Sequence, residues 1–263
     1  KARVVLLAGP SSSGKTTTAK RLSLQLAAEW LKPVPISMDD YFVNREDTPR
    51  DENGNFDYEH VEAVDLKLFN EHINALLAGE EIEQPRFNFA EGRRENSGNR
   101  VRIDDRSVLV IEGIHALNPM LTAQIPDDTK FKVYASPLIR FRFDETSAIH
   151  RTDIRLLRRI LRDSRTRGIT PLQTIKLWPS VRRGEERWIF PFAETADVMF
   201  NSSLLFEFSA LRPHLEPVLR SVAGTPEVDR LLDIISHFTP IDDRQIPPTS
   251  ILREFLGGSS FTY

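Results

Sequence analysis

The chain has 263 residues and a formal net charge of −3, with 40% hydrophobic and 28% charged residues. This balance is typical of a globular protein and argues against a chain whose main role is to coat nucleic acid. There is no cysteine, which excludes disulfides, thiolate metal sites and a cysteine nucleophile.

No apolar run approaches the roughly 20 residues that a membrane-spanning helix needs, and the N-terminus lacks the pattern of a signal peptide. We therefore expect a cytoplasmic protein that does not contact a membrane. The chain begins at Lys1 rather than Met and enters a strand-like run at once. We expect it to be a fragment of a longer chain. The sequence leaves the oligomeric state open, a homo-oligomer included.

Strand-like runs alternate with helix-like segments, which predicts an α/β fold with a five-stranded, mainly parallel sheet. The predicted strands are 4–8, 34–38, 108–111, 131–135 and 198–200. The predicted helices are 15–30, 63–77, 152–165, 204–222 and 226–238. Residues 44–57 are polar and read as a loop, and 81–105 read as a β-hairpin around a polar turn at 95–98.

The segment that follows the first strand has the GxxxxGK(S/T) pattern of a phosphate-binding loop, or P-loop. Its glycines allow successive N–H groups to point at phosphate oxygens, and the helix that follows adds the positive end of its dipole. Lys15 is predicted to reach the outer phosphates and the Thr16 hydroxyl to bind Mg²⁺. The predicted ATP-binding residues are Gly9, Pro10, Ser11, Ser12, Ser13, Gly14, Lys15, Thr16 and Thr17.

Carboxylates follow two of the predicted strands. Asp39 and Asp40 come after the second strand, and Glu112 comes after the third. Ligands of parallel α/β sheets bind outside the carboxyl ends of the strands, so these acids are expected near the phosphate loop. Asp39 is predicted to accept a proton from the substrate hydroxyl, and Asp39 and Glu112 to hold Mg²⁺. Asp40 is the weaker candidate, because neighbours on an extended strand point in opposite directions.

Residues 151–167 predict an amphipathic helix with an arginine face. The arginines at 151, 155, 158, 159, 162 and 165 fall on one arc, with Asp153 and Asp163 towards the apolar side. Charged helix faces usually carry both acidic and basic residues, so a stripe of arginines without acids indicates that an anion binds there. A lid that closes over the triphosphate and a nucleic-acid backbone are the alternatives, and the net acidity favours the lid.

The motifs SMDDYF, NFDYEH, PRFNF, VLVIEGIHAL, TDIRLLRRILRD and PFAETADVMFNS resemble those of the uridine kinase and phosphoribulokinase superfamily of P-loop kinases. The chain is most similar to bacterial uridine kinase-like proteins whose kinase domain follows modules related to threonyl-tRNA synthetase. The resemblance implies a three-layer P-loop NTPase fold. We predict a kinase domain at 1–240, with an acceptor-binding insertion at 44–105 and a lid at 151–190, and a tail at 241–263.

The resemblance also implies roles for single residues. Asp39 matches the catalytic base and Glu112 a Mg²⁺-associated acid. Asp57 matches the aspartate that holds the ribose hydroxyls, while Arg159 and Arg162 match lid arginines that contact phosphates. The predicted catalytic residues are Asp39, Lys15, Arg159 and Arg162, and the predicted acceptor-binding residues are Asp57, Phe87, Arg93, His115 and Arg159.

The sequence departs from uridine kinases where that family reads its base. A Tyr, a His and a lid Gln are replaced by Phe87, Gly92 and Leu177. The leading hypothesis is transfer of the γ-phosphoryl group of ATP, or GTP, to a nucleoside hydroxyl. A sugar or sugar-phosphate kinase, with the acceptor held by arginines at 93, 94 or 100, is the first alternative. A catalytically weak nucleotide-binding regulatory module is the second.

Overall fold

The computed structural model describes residues 2–139, 141–142 and 148–263. Its strands are β1 (Val4–Ala8), β2 (Lys32–Ser37), β3 (Ile82–Asn88), β4 (Arg93–Val101), β5 (Ser107–Glu112), β6 (Lys130–Ser136) and β7 (Val198–Asn201). Its α-helices are α1 (Lys15–Ala28), α2 (Leu66–Leu77), α3 (Pro119–Thr122), α4 (Arg151–Arg162), α5 (Pro171–Trp188), α6 (Phe190–Ala193), α7 (Glu207–Arg220), α8 (Pro226–Ser236) and α9 (Arg253–Leu256). None of the helices in these ranges is both long and apolar enough to cross a membrane.

The chain divides into two compact units. The first, here called the sheet unit, comprises Lys1–Pro10, Thr18–Tyr134 and Ser180–Phe200. The second, here called the helical unit, comprises Ser11–Thr17, Ala135–Pro179 and Asn201–Tyr263. The predicted boundaries of kinase domain, insertion, lid and tail stay predictions, as does the expected upstream segment.

A five-stranded sheet has the order β2-β5-β1-β6-β7. β1 runs parallel to both β5 and β6, and β2 runs parallel to β5. The strands alternate with helices along the chain, so the predicted α/β class and five-stranded sheet are confirmed. In such sheets the carboxyl ends of parallel strands share one edge, where ligands bind.

The core of the sheet unit covers one face of the sheet. Val4, Leu6 and Ile111 are fully buried and belong to one cluster with Phe69 and Ile73 of α2. The central strands β1 and β5 are buried along their whole length and read as near-continuous apolar runs, as is usual for parallel strands covered on both faces, whereas β7 at the edge is exposed. This packing fixes the position of the strands, and therefore the position of the residues that follow their carboxyl ends.

All five predicted helices are shorter in the structure, and for two of them the reason is identifiable. α1 ends at Ala28 because Trp30 takes a left-handed conformation, with φ at 63°. α2 begins at Leu66 because the Asp65 side chain accepts a hydrogen bond from the backbone N–H of Leu68, an N-cap that separates the helix from the preceding 3-10 turn.

Helix α5 was not predicted. It runs through Pro179 and Gly184, both poor residues for a helix interior, and these masked the pattern. Its start does carry a sequence signal. The Thr170 hydroxyl accepts from the backbone N–H of Gln173, and the Gln173 side chain accepts from the backbone N–H of Thr170. This reciprocal pair is a capping box, with Pro171 at the first helical position.

The β-hairpin at 81–105 is confirmed, but its turn was placed wrongly. β3 and β4 are joined at 89–92, where Gly92 has φ at 69° and its N–H donates to the carbonyl of Asn88. The predicted turn at 95–98 is an irregularity inside β4, since Gln84 pairs with Asn99 and the next residue, Pro85, pairs with Asn96. Polar residues and a glycine are common in β-bulges as well as in turns, so the composition of residues 95–98 did not distinguish a bulge from a turn.

Candidate active site

The carboxylate of Glu112 stands at the carboxyl edge of the sheet. Glu112 is the last residue of β5, and in the sheet register it lies beside Leu7 of β1 and Ser37 of β2. The Ser37 hydroxyl donates to Glu112 Oε1 at 3.2 Å. The side chain is only 7% exposed, so this hydrogen bond stabilises an acid that is held at the end of a buried strand.

Asp39 and Asp40 lie in a 3-10 turn, Met38–Tyr41, that begins directly after β2. Asp40 Oδ1 accepts from the backbone N–H of Phe87 at 3.2 Å, which ties this turn to the hairpin. Burial raises the pKa of Asp40, and the neighbouring Asp39 carboxylate adds to that effect. The segment is a turn and not an extended strand, so the strand argument used against Asp40 does not apply. Asp40 anchors the backbone of the hairpin, and the role of Asp39 as base stays a prediction.

A glycine after Glu112 lets the turn approach the sheet. A Cβ added at Gly113 would lie 2.5 Å from Cβ of Met38 and 2.8 Å from its Cγ and Sδ. Met38 is buried, with 2% of its surface exposed, and it precedes Asp39 directly. Gly113 therefore provides the room that sets the position of the acidic turn within the sheet unit.

The phosphate loop has an unusual backbone. Ser12 has φ at 57° and Gly14 has φ at 82°, two positive values separated by one residue. Alternation of this kind turns successive N–H groups into a concave anion-binding nest. The hydroxyls of Ser12 and Ser13 are buried, and within the described ranges neither has a hydrogen-bond partner. Unsatisfied buried hydroxyls in a strained loop fit a site for phosphate oxygens.

Two arginines of α4 lie beneath this loop, within the helical unit. Arg155 Nη1 donates to the carbonyl of Ser11 at 3.1 Å, and Arg158 Nη1 donates to the carbonyls of Ser12 and Ser13 at 3.4 Å. The bonds hold the peptide planes of the loop. Arg155 and Arg158 are buried. Their placement corrects the prediction that both belong to an exposed arginine stripe.

The predicted catalytic arginines have a carboxylate partner. Arg159 Nε and Arg162 Nη2 donate to Asp163 at 3.3 and 2.8 Å, and Arg159 Nη1 donates to the Ser11 hydroxyl at 2.9 Å. Burial opposes ionisation of Asp163, but Arg162, Arg159 and Arg167 together lower its pKa. The arginine stripe therefore does contain an acid, Asp163, which corrects the prediction of a stripe without carboxylates. Arg159 is still brought directly against the phosphate loop.

A C-terminal segment also contacts the phosphate loop, which no sequence motif predicted. The Thr17 hydroxyl donates to Glu254 Oε2 at 2.7 Å and lies 2.9 Å from the Tyr263 hydroxyl. A Cβ added at Gly14 would lie 2.6 Å from Cγ2 of Ile251. The segment is thus packed against two of the predicted ATP-binding residues inside the helical unit.

The acceptor candidates of the hairpin centre on three phenylalanines. The rings of Phe42, Phe87 and Phe89 contact each other edge to face, with centroids 5.1 to 6.4 Å apart. We call these three rings the phenylalanine cluster. Arg93 is 61% exposed and pairs with Glu91 and Glu95. The cluster offers an apolar, aromatic surface next to the segment anchored by Asp40.

Asp57 and His115, the remaining acceptor candidates, are placed differently. Asp57 is half-buried, and its Oδ1 accepts from the backbone N–H of Glu59 at 3.2 Å. His115 is 1% exposed, and burial lowers its pKa to about 4. The structure thus places the His115 ring inside the core of the sheet unit and not at a surface.

Two of the departures from uridine kinases now have a structural context. Gly92 adopts a backbone conformation that side chains rarely take, and a Cβ there would meet the Arg45 guanidinium. A histidine at this position would be strained. Leu177 is 48% exposed on α5 and has no polar group to offer a base.

Oxygen donors that suit Mg²⁺ are present at Thr16, Asp39 and Glu112. In the described part of the chain, no group of three or more His, Asp or Glu side chains is arranged to hold a metal ion. Mg²⁺ usually keeps several waters and takes one or two carboxylates together with substrate phosphates. Within the sheet unit, the carboxylates of Asp39 and Glu112 are of the type that suits this kind of binding.

Comparisons with known proteins identify the family. The model of the phosphoribulokinase / uridine kinase family matches residues 4–204. The chain is 31% identical over 195 residues to a uridine kinase of Halobacterium salinarum, covering 73% of this chain and 77% of that protein. It is 30% identical over 197 residues to a uridine kinase of Anoxybacillus flavithermus, covering 74% and 84%.

Among solved structures, a possible uridine kinase from Bacillus stearothermophilus matches with a TM-score of 0.49 and 20% identity, covering 76% of this chain and 88% of that one. The predicted three-layer P-loop NTPase fold is confirmed by the parallel sheet and the family match. The chain belongs to the phosphoribulokinase / uridine kinase family and is an ATP-dependent P-loop kinase.

Proposed function

We propose that this kinase transfers the γ-phosphoryl group of ATP to a hydroxyl of a nucleoside-like acceptor. The observation that carries the proposal is the hydrogen bond between Asp40 and the backbone of Phe87. This hydrogen bond ties the turn that contains Asp39 to the hairpin, which has an aromatic surface. A proton acceptor beside an aromatic surface suits a substrate that has both a hydroxyl and a flat ring.

Asp39 is the proposed base. In the transfer, the acceptor O–H proton passes to the Asp39 carboxylate, and the acceptor oxygen forms a bond to the γ-phosphorus. The bond from that phosphorus to the β–γ bridging oxygen breaks, so ADP leaves with the electron pair. The charge on the transferring group is offset by Lys15, Arg159 and Arg162 in this proposal. Mg²⁺, when bound, neutralises phosphate charge, and Thr16, Asp39 and Glu112 are its proposed ligands.

The acceptor would be held by its sugar and by the face of its ring. Asp57 is the proposed partner of the ribose hydroxyls, as the family resemblance implies. The phenylalanine cluster would stack on the base, an interaction that tolerates different bases. With Phe87, Gly92 and Leu177 at the positions of the base-reading residues, we propose that the enzyme discriminates poorly between uridine and other nucleosides.

A sugar-phosphate acceptor is the weaker alternative, because it has no flat ring to stack on the phenylalanine cluster, and the arginines that would hold its phosphate also pair with carboxylates. Arg94 pairs with Asp65 at 3.0 Å, and Arg100 pairs with Glu81 at 3.1 Å. A phosphate would have to displace these acids. GTP is an alternative donor in this proposal, and a homo-oligomer is compatible with it.

A substrate screen tests the proposed function. ADP release is measured with ATP and Mg²⁺ against uridine, cytidine, purine nucleosides and pentose phosphates. We expect release with several nucleosides at comparable kcat/KM. Release with pentose phosphates alone would support the alternative and contradict the proposal. ATP binding without release for any acceptor would indicate a regulatory module.

A further inference from the structure

A glycine in the second half of α5 marks a close approach between two segments of the sheet unit. Gly costs about 1 kcal/mol relative to Ala in a helix interior, so its presence there calls for a packing reason. A Cβ added at Gly184 would lie well under 3.0 Å from Cβ of Glu59 and 3.1 Å from its Cγ. Cβ of Glu59 is attached to the backbone and cannot rotate away. Gly184 therefore sets how near the helix comes to residues 57–60.

Two further contacts flank this approach. Arg183 Nη2 donates to Asp51 Oδ2 at 3.5 Å. The ring of Trp188 meets the ring of His60 edge to face, with centroids 4.6 Å apart. The contacts on α5 span positions 183 to 188, about one and a half turns of helix. Helix α5 thus contacts the loop of residues 51–60 near both ends of the loop, at Asp51 and at Glu59 and His60.

The loop between these contacts is ordered by its own hydrogen bonds. Asp51 Oδ1 accepts from the backbone N–H of Asn55 at 2.9 Å, and the Asp57 N–H donates to the carbonyl of Pro49 at 2.8 Å. Asp57 Oδ1 accepts from the N–H of Glu59. We expect a loop braced by these hydrogen bonds to shift as a unit. A shift at Glu59 or Asp51 is therefore passed on to Asp57.

We infer that Gly184 and Arg183 are positioning residues for the acceptor, which they hold indirectly by fixing the loop that carries Asp57. The inference rests on the proposed role of Asp57. Neither residue touches a substrate in this account. Gly184 supplies the space for the close approach, and Arg183 supplies the ion pair that keeps the loop in register. Their replacement changes acceptor binding and leaves ATP binding as it is.

The first test is Gly184→Ala. Alanine strengthens the helix and at the same time pushes against Glu59, so the loop shifts while the helix persists. We expect the KM of the best acceptor in the screen to rise about ten-fold or more, because displacements near 1 Å are costly at reacting groups. The KM for ATP stays within two-fold, roughly the reproducibility of such a comparison. Arg183→Gln, which cannot crowd the loop, is expected to raise the acceptor KM by a smaller factor.

Glu186→Gln is the matched control, because Glu186 is 61% exposed on the same helix and pairs with Arg182, one turn away. It should change neither KM. Hydrogen exchange supplies a readout that does not depend on activity: amides of residues 50–60 exchange faster in Gly184→Ala than in Glu186→Gln. Equal exchange and an unchanged acceptor KM would overturn the inference, as would a parallel rise in both KM values.

A double-mutant cycle adds a second test. Glu59→Gly removes the Cβ that crowds residue 184, so Gly184→Ala should have little further effect in that background. Additive effects would contradict the close-approach argument. Asp57→Asn separates this inference from the proposed function. If Asp57→Asn leaves the acceptor KM unchanged while Gly184→Ala still speeds loop exchange, the role of Asp57 fails and the bracing of the loop stands.

Discussion

The guanidinium of Arg158 forms a two-pronged ion pair with Glu207, in which Nε and Nη2 donate to the two carboxylate oxygens at 2.7 and 2.8 Å. Both side chains are fully buried. The same guanidinium donates to the carbonyls of Ser12 and Ser13, so one ion pair serves the interior of the helical unit and the phosphate loop together.

Glu207→Gln should lower the free energy of unfolding by about 3 kcal/mol, because removal of one partner leaves an uncompensated buried charge. ATP affinity should fall as well, since Arg158 would no longer be held under the loop. Urea unfolding and ATP titration measure the two effects. Glu71→Gln is the control: its partner Lys67 is 86% exposed, and such pairs contribute about 1 kcal/mol or less. Equal losses in both variants would contradict the prediction.

Asp39→Asn should lower kcat at least about 100-fold, because an amide cannot accept the acceptor proton. The dissociation constant for ATP should stay within a few-fold. Single-turnover kinetics with the best acceptor and ATP titration measure these quantities. Asp47→Asn, in an exposed 3-10 turn a few residues further on, should leave both unchanged. Normal turnover in Asp39→Asn would rule out the assignment of the base.

Gly113→Ala should reduce kcat by roughly ten-fold, because the new Cβ presses on Met38 and shifts the turn that holds Asp39. Binding of ATP should not change. Gly79→Ala is a suitable comparison, since a Cβ there meets nothing within 4 Å and only the backbone conformation is strained. It should lower stability without lowering kcat. If the two variants lose kcat equally, Gly113 has no special role.

The unfolding free energy should depend on pH between 7 and 5 because of His115. Burial lowers the pKa of His115 from 6.5 to about 4. Below pH 6.5 His115 is protonated in the unfolded chain but stays neutral in the folded chain. The free energy of unfolding therefore decreases as the pH is lowered, by about 2 kcal/mol at pH 5. Urea unfolding at pH 7 and pH 5 measures the change. The variant His115→Asn should show a smaller change in the free energy of unfolding between these two pH values. The variant His237→Asn, at a half-exposed residue, should show the same change as the unmodified protein. An unchanged slope in His115→Asn would exclude this origin.

The sequence predicted those parts of the molecule that are set by local pattern. The buried strand Val4–Ala8, the loop after it and the acids at the ends of two further strands follow from apolar runs and motif spacing alone. The family resemblance then supplied roles for single residues. Those roles stay predictions, because no ligand contact tests them.

Tertiary contacts were the part that pattern could not supply. Amphipathicity placed the arginines of α4 on the polar side, but Arg158 is buried because Glu207, 49 positions later, reaches it. Likewise, Pro179 and Gly184 argued against a helix that the Thr170 and Gln173 capping box begins and the fold stabilises. Partners that are distant in the sequence leave no local trace.

The family match ends at residue 204, whereas Ile251 covers Gly14 of the phosphate loop and Glu254 accepts from Thr17. The boundary of evolutionary similarity is therefore not the boundary of the folded nucleotide site. A minimal catalytic domain cut at the family boundary, or a chimera that exchanges residues 4–204 with a relative, would leave the motif glycine without its cover. A graft taken from this chain has to carry the distal segment along with the motif.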